Sequence, residues 1–323
     1  MKRSAWLPLL MAVAGALGAL VHQGCASART AFHALAVQVP RDTTPPRICP
    51  LVVGSLQPVG PRALLNGQGV TNDTTAVTAY LIRVHSELIL VDGGLVPVEQ
   101  MPWFMRLAGG HGAYDLPPHS SARAQLKEAG VDPSRITLII ATHGHGDHAG
   151  IAESFPTTPV IMSRDEAEWI AGMQPQRREA LTWRHADAWD AVLARVRAVS
   201  WSGPFMTTSL PSFDWFGDGS LVFLHTPGHT PGSMSLVLRH VDGTQSLVAG
   251  DAALADESVR QNIPMGYLGR MLDADPNQAI TTLSALHAMV GQDPRWRVYT
   301  AHDEETLAQR HNFSTCVTEM MRD

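Results

Sequence analysis

The sequence lacks most of what would set it apart from an ordinary packed protein. Three cysteines in 323 residues cannot build a disulfide framework, so a small stapled fold is excluded. Basic residues are outnumbered, 24 Lys and Arg against 30 Asp and Glu, for a net charge of −6. A groove that tracks nucleic-acid phosphates needs the opposite balance, so no nucleic-acid partner is expected. No internal repeat or low-complexity tract interrupts the chain, which excludes fibrous and solenoid architectures. Long hydrophobic runs are limited to one near the start, so a bundle of membrane spans is excluded as well. What is present is 45% hydrophobic and only 17% charged residues, with 27 Gly and 22 Pro. At this length that composition supplies a full core and many turns, and the fold must rest on packing.

The hydrophobic run, Ala5 to Val21, follows Lys2 and Arg3 and ends near Ala26-Ser27-Ala28, a small-x-small site. That order reads as a secretory signal peptide over residues 1–28 and predicts a periplasmic or secreted protein. Two alternatives stay open. The run sits at the lower edge of spanning length and would serve as a retained anchor. Gly24-Cys25 offers a lipoprotein cleavage point, although His22 stands where Leu is usual. Membrane attachment is expected only if the signal is retained or Cys25 is lipidated. Outside the cytoplasm Cys49 and Cys316 could pair, and from sequence a bridge and two free thiols are both open.

Residues 29–50 become Pro-rich (Pro40, Pro45, Pro46, Pro50) and predict an extended lead-in, with one catalytic domain over 51–323. Two β-rich runs, Thr75 to Val84 and Glu87 to Val91, close on Asp92-Gly93-Gly94, a sharp turn. Ser120 or Ser121 caps a short helix ended by Gly130, and Ile136 to Ala141 is a buried strand. Ser163-Arg164-Asp165-Glu166 fits a capping box opening a helix through Trp169. Trp189, Val192, Leu193 and Val196 have helical spacing. Strands are predicted at Leu221 to His225, Ser233 to Leu238 and Ser246 to Ala249, and a helix from Pro276 to Val290. Such alternation belongs to an α/β fold.

Directly after the Ile136 to Ala141 strand comes Thr142-His143-Gly144-His145-Gly146-Asp147-His148-Ala149-Gly150. It falls on a loop at a strand's C-terminal end, where α/β folds carry their sites. Residues two apart in an extended loop project to one side, so His143 and His145 can meet one cation. Asp147 and His148, at the start of a helix, can diverge toward a second. Imidazole and carboxylate suit zinc or a similar borderline ion. Further ligand types end other apolar runs: His229 between two Pro-Gly turns, Asp251 after Ser246 to Gly250, and His302 after Arg297 to Ala301. His225 stays nearer its strand and reads as structural. Four such strand ends would converge on one edge of a sheet.

In that order, His143-x-His145-x-Asp147-His148, then His229, Asp251 and His302, the sequence resembles the metallo-β-lactamase superfamily of hydrolases from about Leu51 onward. The resemblance implies a four-layer αββα sandwich with two Zn2+ ions between two sheets. It places His143, His145 and His229 on the first ion, Asp147, His148 and His302 on the second, and Asp251 between them. It gives Asp92 the part of an outer carboxylate that orients a ligand histidine. The implied chemistry is hydrolysis by a hydroxide bridging the two ions, with Asp147 as the catalytic proton carrier and no need for a Ser, Cys or Lys nucleophile.

Asp251 together with His302-Asp303-Glu304 most resembles the N-acyl-homoserine lactonase branch, which opens a lactone ring. A bridging Asp251 speaks against β-lactamases, although the Gly228 to Ser233 segment occurs in some of them. One departure stands out. Those lactonases usually place a tyrosine three residues after the bridging aspartate, where this chain has Leu254, and Tyr267 is the candidate replacement. Met101, Trp103, Phe104, Met105, Trp183, Trp189, Trp201, Phe205, Trp215 and Met265 are expected, as a group rather than singly, to wall a pocket for a hydrophobic small-molecule substrate. The alternatives are a phosphotriesterase-like or β-lactamase-like hydrolase of the same superfamily, or a metal-dependent binding protein without turnover.

Overall fold

The computed structural model describes residues 32–34, 44–56, 65, 75–95, 98–103, 114–206, 208–291, 293–303 and 313–322. The expected signal over 1–28, with Cys25, lies outside the described residues, as do Phe104, Met105 and Glu304. Among the described residues no helix is long and apolar enough to cross a membrane.

Two mixed sheets form the centre. The first contains β1 (His33–Ala34), β2 (Arg47–Leu56), β3 (Thr75–Val84), β4 (Glu87–Val91), β5 (Tyr114–Asp115), β6 (Leu138–Ile140), β7 (Val160–Ser163) and β8 (Val196–Val199). Their spatial order is β1-β8-β7-β6-β4-β3-β2-β5. The second contains β9 (Ser212–Asp214), β10 (Leu221–His225), β11 (Met234–Arg239), β12 (Gln245–Val248) and β13 (Trp296–Tyr299), in the order β13-β12-β11-β10-β9.

Side chains alternate across each strand, so a strand buried on both faces reads as a continuous apolar run. β3 is buried along its whole length and is mostly apolar, with Thr75, Thr78 and Arg83 as its polar members. Its Tyr80, Ile82 and Val84 join Phe223, Leu236 and Leu238 in a core between the sheets, while Val77, Ala79 and Leu81 belong to a second core on the other face.

The helices are α1 (Ala122–Glu128), α2 (Gly146–Ala149), α3 (Arg164–Ala171), α4 (Pro175–Thr182), α5 (Ala186–Leu193), α6 (Asp256–Gln261), α7 (Tyr267–Arg270), α8 (Pro276–Val290) and α9 (Phe313–Arg322). Leu126 of α1, Ile170 of α3, Trp189 of α5 and Val317 of α9 fill the core outside the first sheet. Val259 of α6 and Leu283, Leu286 and Val290 of α8 do the same outside the second. The layers run helix, sheet, sheet, helix, an αββα sandwich. Cys49 of β2 and Cys316 of α9 form a disulfide, their Cα atoms 5.8 Å apart, which fastens α9 to the first sheet.

Local expectations change at three places. The lead-in enters the sheet before Leu51: Arg47, Ile48, Cys49 and Pro50 already pair with β3, and Cys49 is buried. Phe32 is buried and β1 pairs with β8, so part of the segment before 47 packs as well. Val196 does not prolong α5. That helix closes at Leu193, and Val196 opens β8, whose Val196, Ala198 and Val199 are buried beside β7. At the head of α3, Ser163 accepts from the Glu166 N–H at 3.0 Å, but the Glu166 carboxylate does not complete the capping box. It is spent on the loops described next.

Candidate metal centre

β4 and β6 run parallel, as do β12 and β13, so their C-terminal ends emerge at matching edges of the two sheets. At the end of β4, Asp92 takes a left-handed conformation, φ +54°, which turns its carboxylate back toward the loop after β6. Its Oδ1 accepts from the Thr142 N–H at 2.8 Å, and its Oδ2 from the Thr142 hydroxyl at 2.8 Å and His148 Nδ1 at 3.0 Å. The second sheet joins this loop through the Met234 N–H, which donates to the Thr142 carbonyl at 2.9 Å. β11 therefore starts against the histidine loop, and the turn between β10 and β11 brings His229 over it. His302, after β13, donates from Nδ1 to the Ala76 carbonyl of β3 at 2.7 Å.

The seven side chains singled out from sequence meet here in two groups. In the first, His145 Nδ1 lies 2.9 Å from His143 Nε2 and 3.0 Å from His229 Nε2. Asp251 Oδ2 lies 3.3 Å from His229 Nε2 and 3.8 Å from His143 Nε2. In the second, Asp251 Oδ1 lies 3.2 Å from both His148 Nε2 and His302 Nε2. Asp147 Oδ2 is 3.8 Å from His148 Nε2 and 3.7 Å from His302 Nε2. Asp251 thus turns one oxygen to each group. All seven are buried except His145, which is half-buried.

A cation at each group fits this donor set. Acceptors hold the proton on Nδ1 of His148 (Asp92), His229 (Asp273) and His302 (the Ala76 carbonyl). That leaves the Nε2 lone pairs facing inward, the arrangement of metal-binding histidines. His148 Nε2 and Asp251 Oδ1 are buried with no hydrogen-bond partner, a cost that a shared cation removes. The electrostatics agree. Burial pushes His143 and His145 well below their ordinary range, and neighbouring histidines add to the effect. Burial acts on His148 in the same direction, but Asp251, Asp92 and Asp147 outweigh it and hold that imidazole well above its ordinary range. Against burial, His229 is raised by Asp273 and Asp251, and His302 by Asp251 and Asp147. Asp251 is held well below the carboxylate range, despite burial, by His148 and His302. Negative potential that favours a second proton at Nε2 favours a cation there too.

Two residues that serve this centre, Asp273 and Glu166, were not among the expected site residues, and Glu166 was expected only as part of a helix cap. Asp273, in the loop between α7 and α8, lies 3.1 Å through Oδ1 from His229 Nδ1. Asp275 is the cap of α8, accepting from the Asn277 and Gln278 N–H groups at 3.0 Å; a second aspartate two residues earlier, left over from the cap, was the available signal. Glu166, fully buried, accepts from the Gly144 N–H at 2.8 Å, the Thr230 hydroxyl at 2.6 Å and the Gly232 N–H at 3.0 Å. Burial pushes its carboxyl up to about 7 against those three bonds.

His225 stays apart from the cluster. It stacks on Trp201, ring centroids 4.8 Å apart, with Nε2 3.3 Å from the Pro231 carbonyl. The expected wall of aromatic residues divides. Trp189, Phe205 and Trp215 lie in hydrophobic cores, Trp201 is occupied by His225, and Trp183 sits beside Gly146 of the histidine loop. Met101 is buried, whereas Trp103 and Tyr267 are exposed. Leu254 is buried with Leu65 and Ala255, and Met265 packs against them.

A family model for the metallo-beta-lactamase superfamily matches residues 72–302. The N-acyl homoserine lactonase AttM of Rhizobium radiobacter is 27% identical over 184 residues, 53% of this chain and 63% of that protein. The N-acyl homoserine lactonase AiiA of Bacillus thuringiensis subsp. kurstaki is 24% identical over 180 residues, 56% of this chain and 61% of that protein. The chain therefore spans a little under two thirds of the length of the curated relatives it matches. A solved N-acyl homoserine lactone hydrolase with N-hexanoyl-L-homoserine at its catalytic metal centre superposes with a TM-score of 0.59 at 20% identity, covering 86% of this chain and 98% of that one. The dizinc quorum-quenching lactonase AidC does so with a TM-score of 0.55 at 16% identity, covering 82% and 89%. Both likenesses are of fold.

Proposed function

The chain belongs to the metallo-beta-lactamase superfamily, and from that premise we propose that it is a dinuclear zinc hydrolase of lactones or other esters bearing a hydrophobic group. The observation that carries the reading is Asp251, whose two oxygens face two separate groups of imidazoles. His143, His145 and His229 would hold one ion and Asp147, His148 and His302 the other, with Asp251 shared. Histidine and carboxylate donors favour zinc. When bound, such a pair of ions lowers the pKa of solvent and polarises a carbonyl oxygen.

The side chains supply the rest. Asp251 keeps the two groups at one spacing. Asp92, Asp273 and the Ala76 carbonyl keep each Nε2 turned inward by holding the proton on Nδ1. Asp147, with Oδ2 near both His148 and His302, is the group assigned to move the proton to the departing alkoxide. A lactone is favoured by the named relatives, all N-acyl homoserine lactonases. Leu254 favours a second reading, a phosphotriesterase-like hydrolase: it is buried in an apolar cluster and has no hydroxyl to offer a lactone carbonyl. Export to the periplasm or medium is part of the proposal, supported by the Lys2 to Ala28 pattern and by the Cys49–Cys316 disulfide, which persists in an oxidising compartment.

The deciding experiment measures metal content and then turnover of acyl homoserine lactones, aryl esters, phosphotriesters and β-lactams by the same preparation. Fastest turnover of the lactones is expected. Phosphotriesters turned over faster would establish the second reading, and two bound ions without any turnover would overturn hydrolysis and leave a binding protein.

A further inference from the structure

Glu166 carries no ligand atom in either group, yet it touches the chain on both sides of the first one. Its Oε1 accepts from the N–H of Gly144, the residue between His143 and His145. Its Oε2 accepts from the hydroxyl of Thr230, next to His229, and from the N–H of Gly232 in the same turn. One carboxylate on α3 thus joins a loop of the first sheet to a turn of the second. The approach leaves no slack. A Cβ at Gly232 would stand 2.0 Å from the Glu166 backbone nitrogen, and one at Gly144 would stand 2.1 Å from Ile170 of the same helix. Ser163, which caps the helix, also donates its hydroxyl to the Gly232 carbonyl at 2.5 Å. The second group is braced without Glu166: His148 by Asp92 and His302 by the Ala76 carbonyl.

We propose that Glu166 is a positioning residue that sets the spacing between the His143–His145 loop and the His229 turn, and so governs the affinity of the first cation place and not the second. Removing the carboxylate leaves two buried backbone N–H groups without their acceptor and the Thr230 hydroxyl with only Ser233 Oγ, 2.7 Å away, a cost that the loop and turn relieve by moving apart. Because three imidazoles reach the first ion from those two segments, their separation weakens that ion alone. A glutamine at this position has a single acceptor oxygen and sets its NH2 against one of the backbone N–H groups, so it braces one segment only.

The inference rests on the two-ion reading, and its test uses Co2+ loading rather than turnover so that the two can fail separately. Wild-type protein is titrated with Co2+ beside Glu166→Ala, Glu166→Gln, His229→Ala and His302→Ala, and the visible absorption of the bound ion is recorded. Two ions in the wild type establish the reading, whatever the activity. Both Glu166 variants are then expected to lose at least about tenfold in affinity for one ion, the size usual for an outer support of a metal ligand. The remaining ion is expected to show the spectrum of His229→Ala and not that of His302→Ala. Equal weakening of both ions, no weakening, or the His302→Ala spectrum would each overturn the proposal. If Glu166→Ala does not fold, the milder Glu166→Gln decides between the same outcomes.

Discussion

The two halves of the site are supported in different ways. His148 and His302 are held by groups of the first sheet: Asp92 stands at the end of β4, and Ala76 lies inside β3, buried on both faces. His143, His145 and His229 are held by groups on helices and loops, Glu166 at the head of α3 and Asp273 between α7 and α8. A sheet strand buried on both faces cannot shift without disturbing two cores, whereas a loop held by a few hydrogen bonds can. Nearly matching ligand sets thus differ in rigidity because their supports differ. The second place is built into the sandwich, and the first is assembled from parts that meet at its rim.

That contrast can be broken most directly at the ligands. His302→Ala is expected to abolish binding of one of the two ions and to remove most turnover, while His225→Ala leaves both ions in place; elemental analysis of the two variants checks this, and equal loss would show that the division of histidines is wrong. A next test separates the rim from the body of the fold. Cys316→Ser opens a bridge that spans 267 residues of sequence, so denaturant unfolding should show a loss of about 2–5 kcal/mol with both Co2+ affinities intact. The supports themselves come next. Asp92→Asn and Asp273→Asn should each weaken one ion by about 10–100-fold, the ion differing between them. The Asp92 variant should in addition loosen the first ion to a smaller degree, because that carboxylate holds Thr142 at two points and the Thr142 hydroxyl lies 3.2 Å from His143 Nδ1.

The smallest effect concerns His225, outside both groups. Burial lowers its pKa below the ordinary value near 6.5. In the unfolded chain it would bind a proton as the pH falls through that value while the folded chain resists. Its contribution to stability is therefore present at higher pH and is lost on acidification. Thermal melts from pH 7.5 to 5.5 should be flatter for His225→Phe, which keeps an aromatic ring on Trp201, than for the wild type.

Legibility followed the range of the interactions. Thr75 to Val84 and Pro276 to Val290 were readable with their ends, because a doubly buried strand and a Pro-started, Asp-capped helix leave local marks. Val196 keeps the helical spacing of α5 in sequence but lies past the chain's turn into β8, where pairing with β7 places it. The run His143 to His148 was readable as a ligand set because its members are adjacent. His225 and His229 are only four residues apart, yet one stacks on Trp201 and the other faces the cluster, and the Pro-Gly turns around His229 were the only local hint. Glu166 looked like half of a capping box because Ser163 makes the other half. Its carboxylate goes instead to Gly144, Thr230 and Gly232, up to 66 residues away.

By itself the amino-acid order determined the alternation of strands and helices, the overall charge, and the kinds of side chain available at the strand ends. These follow from periodicity and from chemistry within a few residues. The motif order also implied Asp251 between two groups, but only the tertiary structure decided that Asp273 rather than Asp275 reaches His229 and that Glu166 spans a loop and a turn. The first depends on how the segment before α8 packs on the turn between β10 and β11, and the second on where the two sheets come together. That distance is set by the packing of whole cores, to which no short stretch of sequence contributes more than a part.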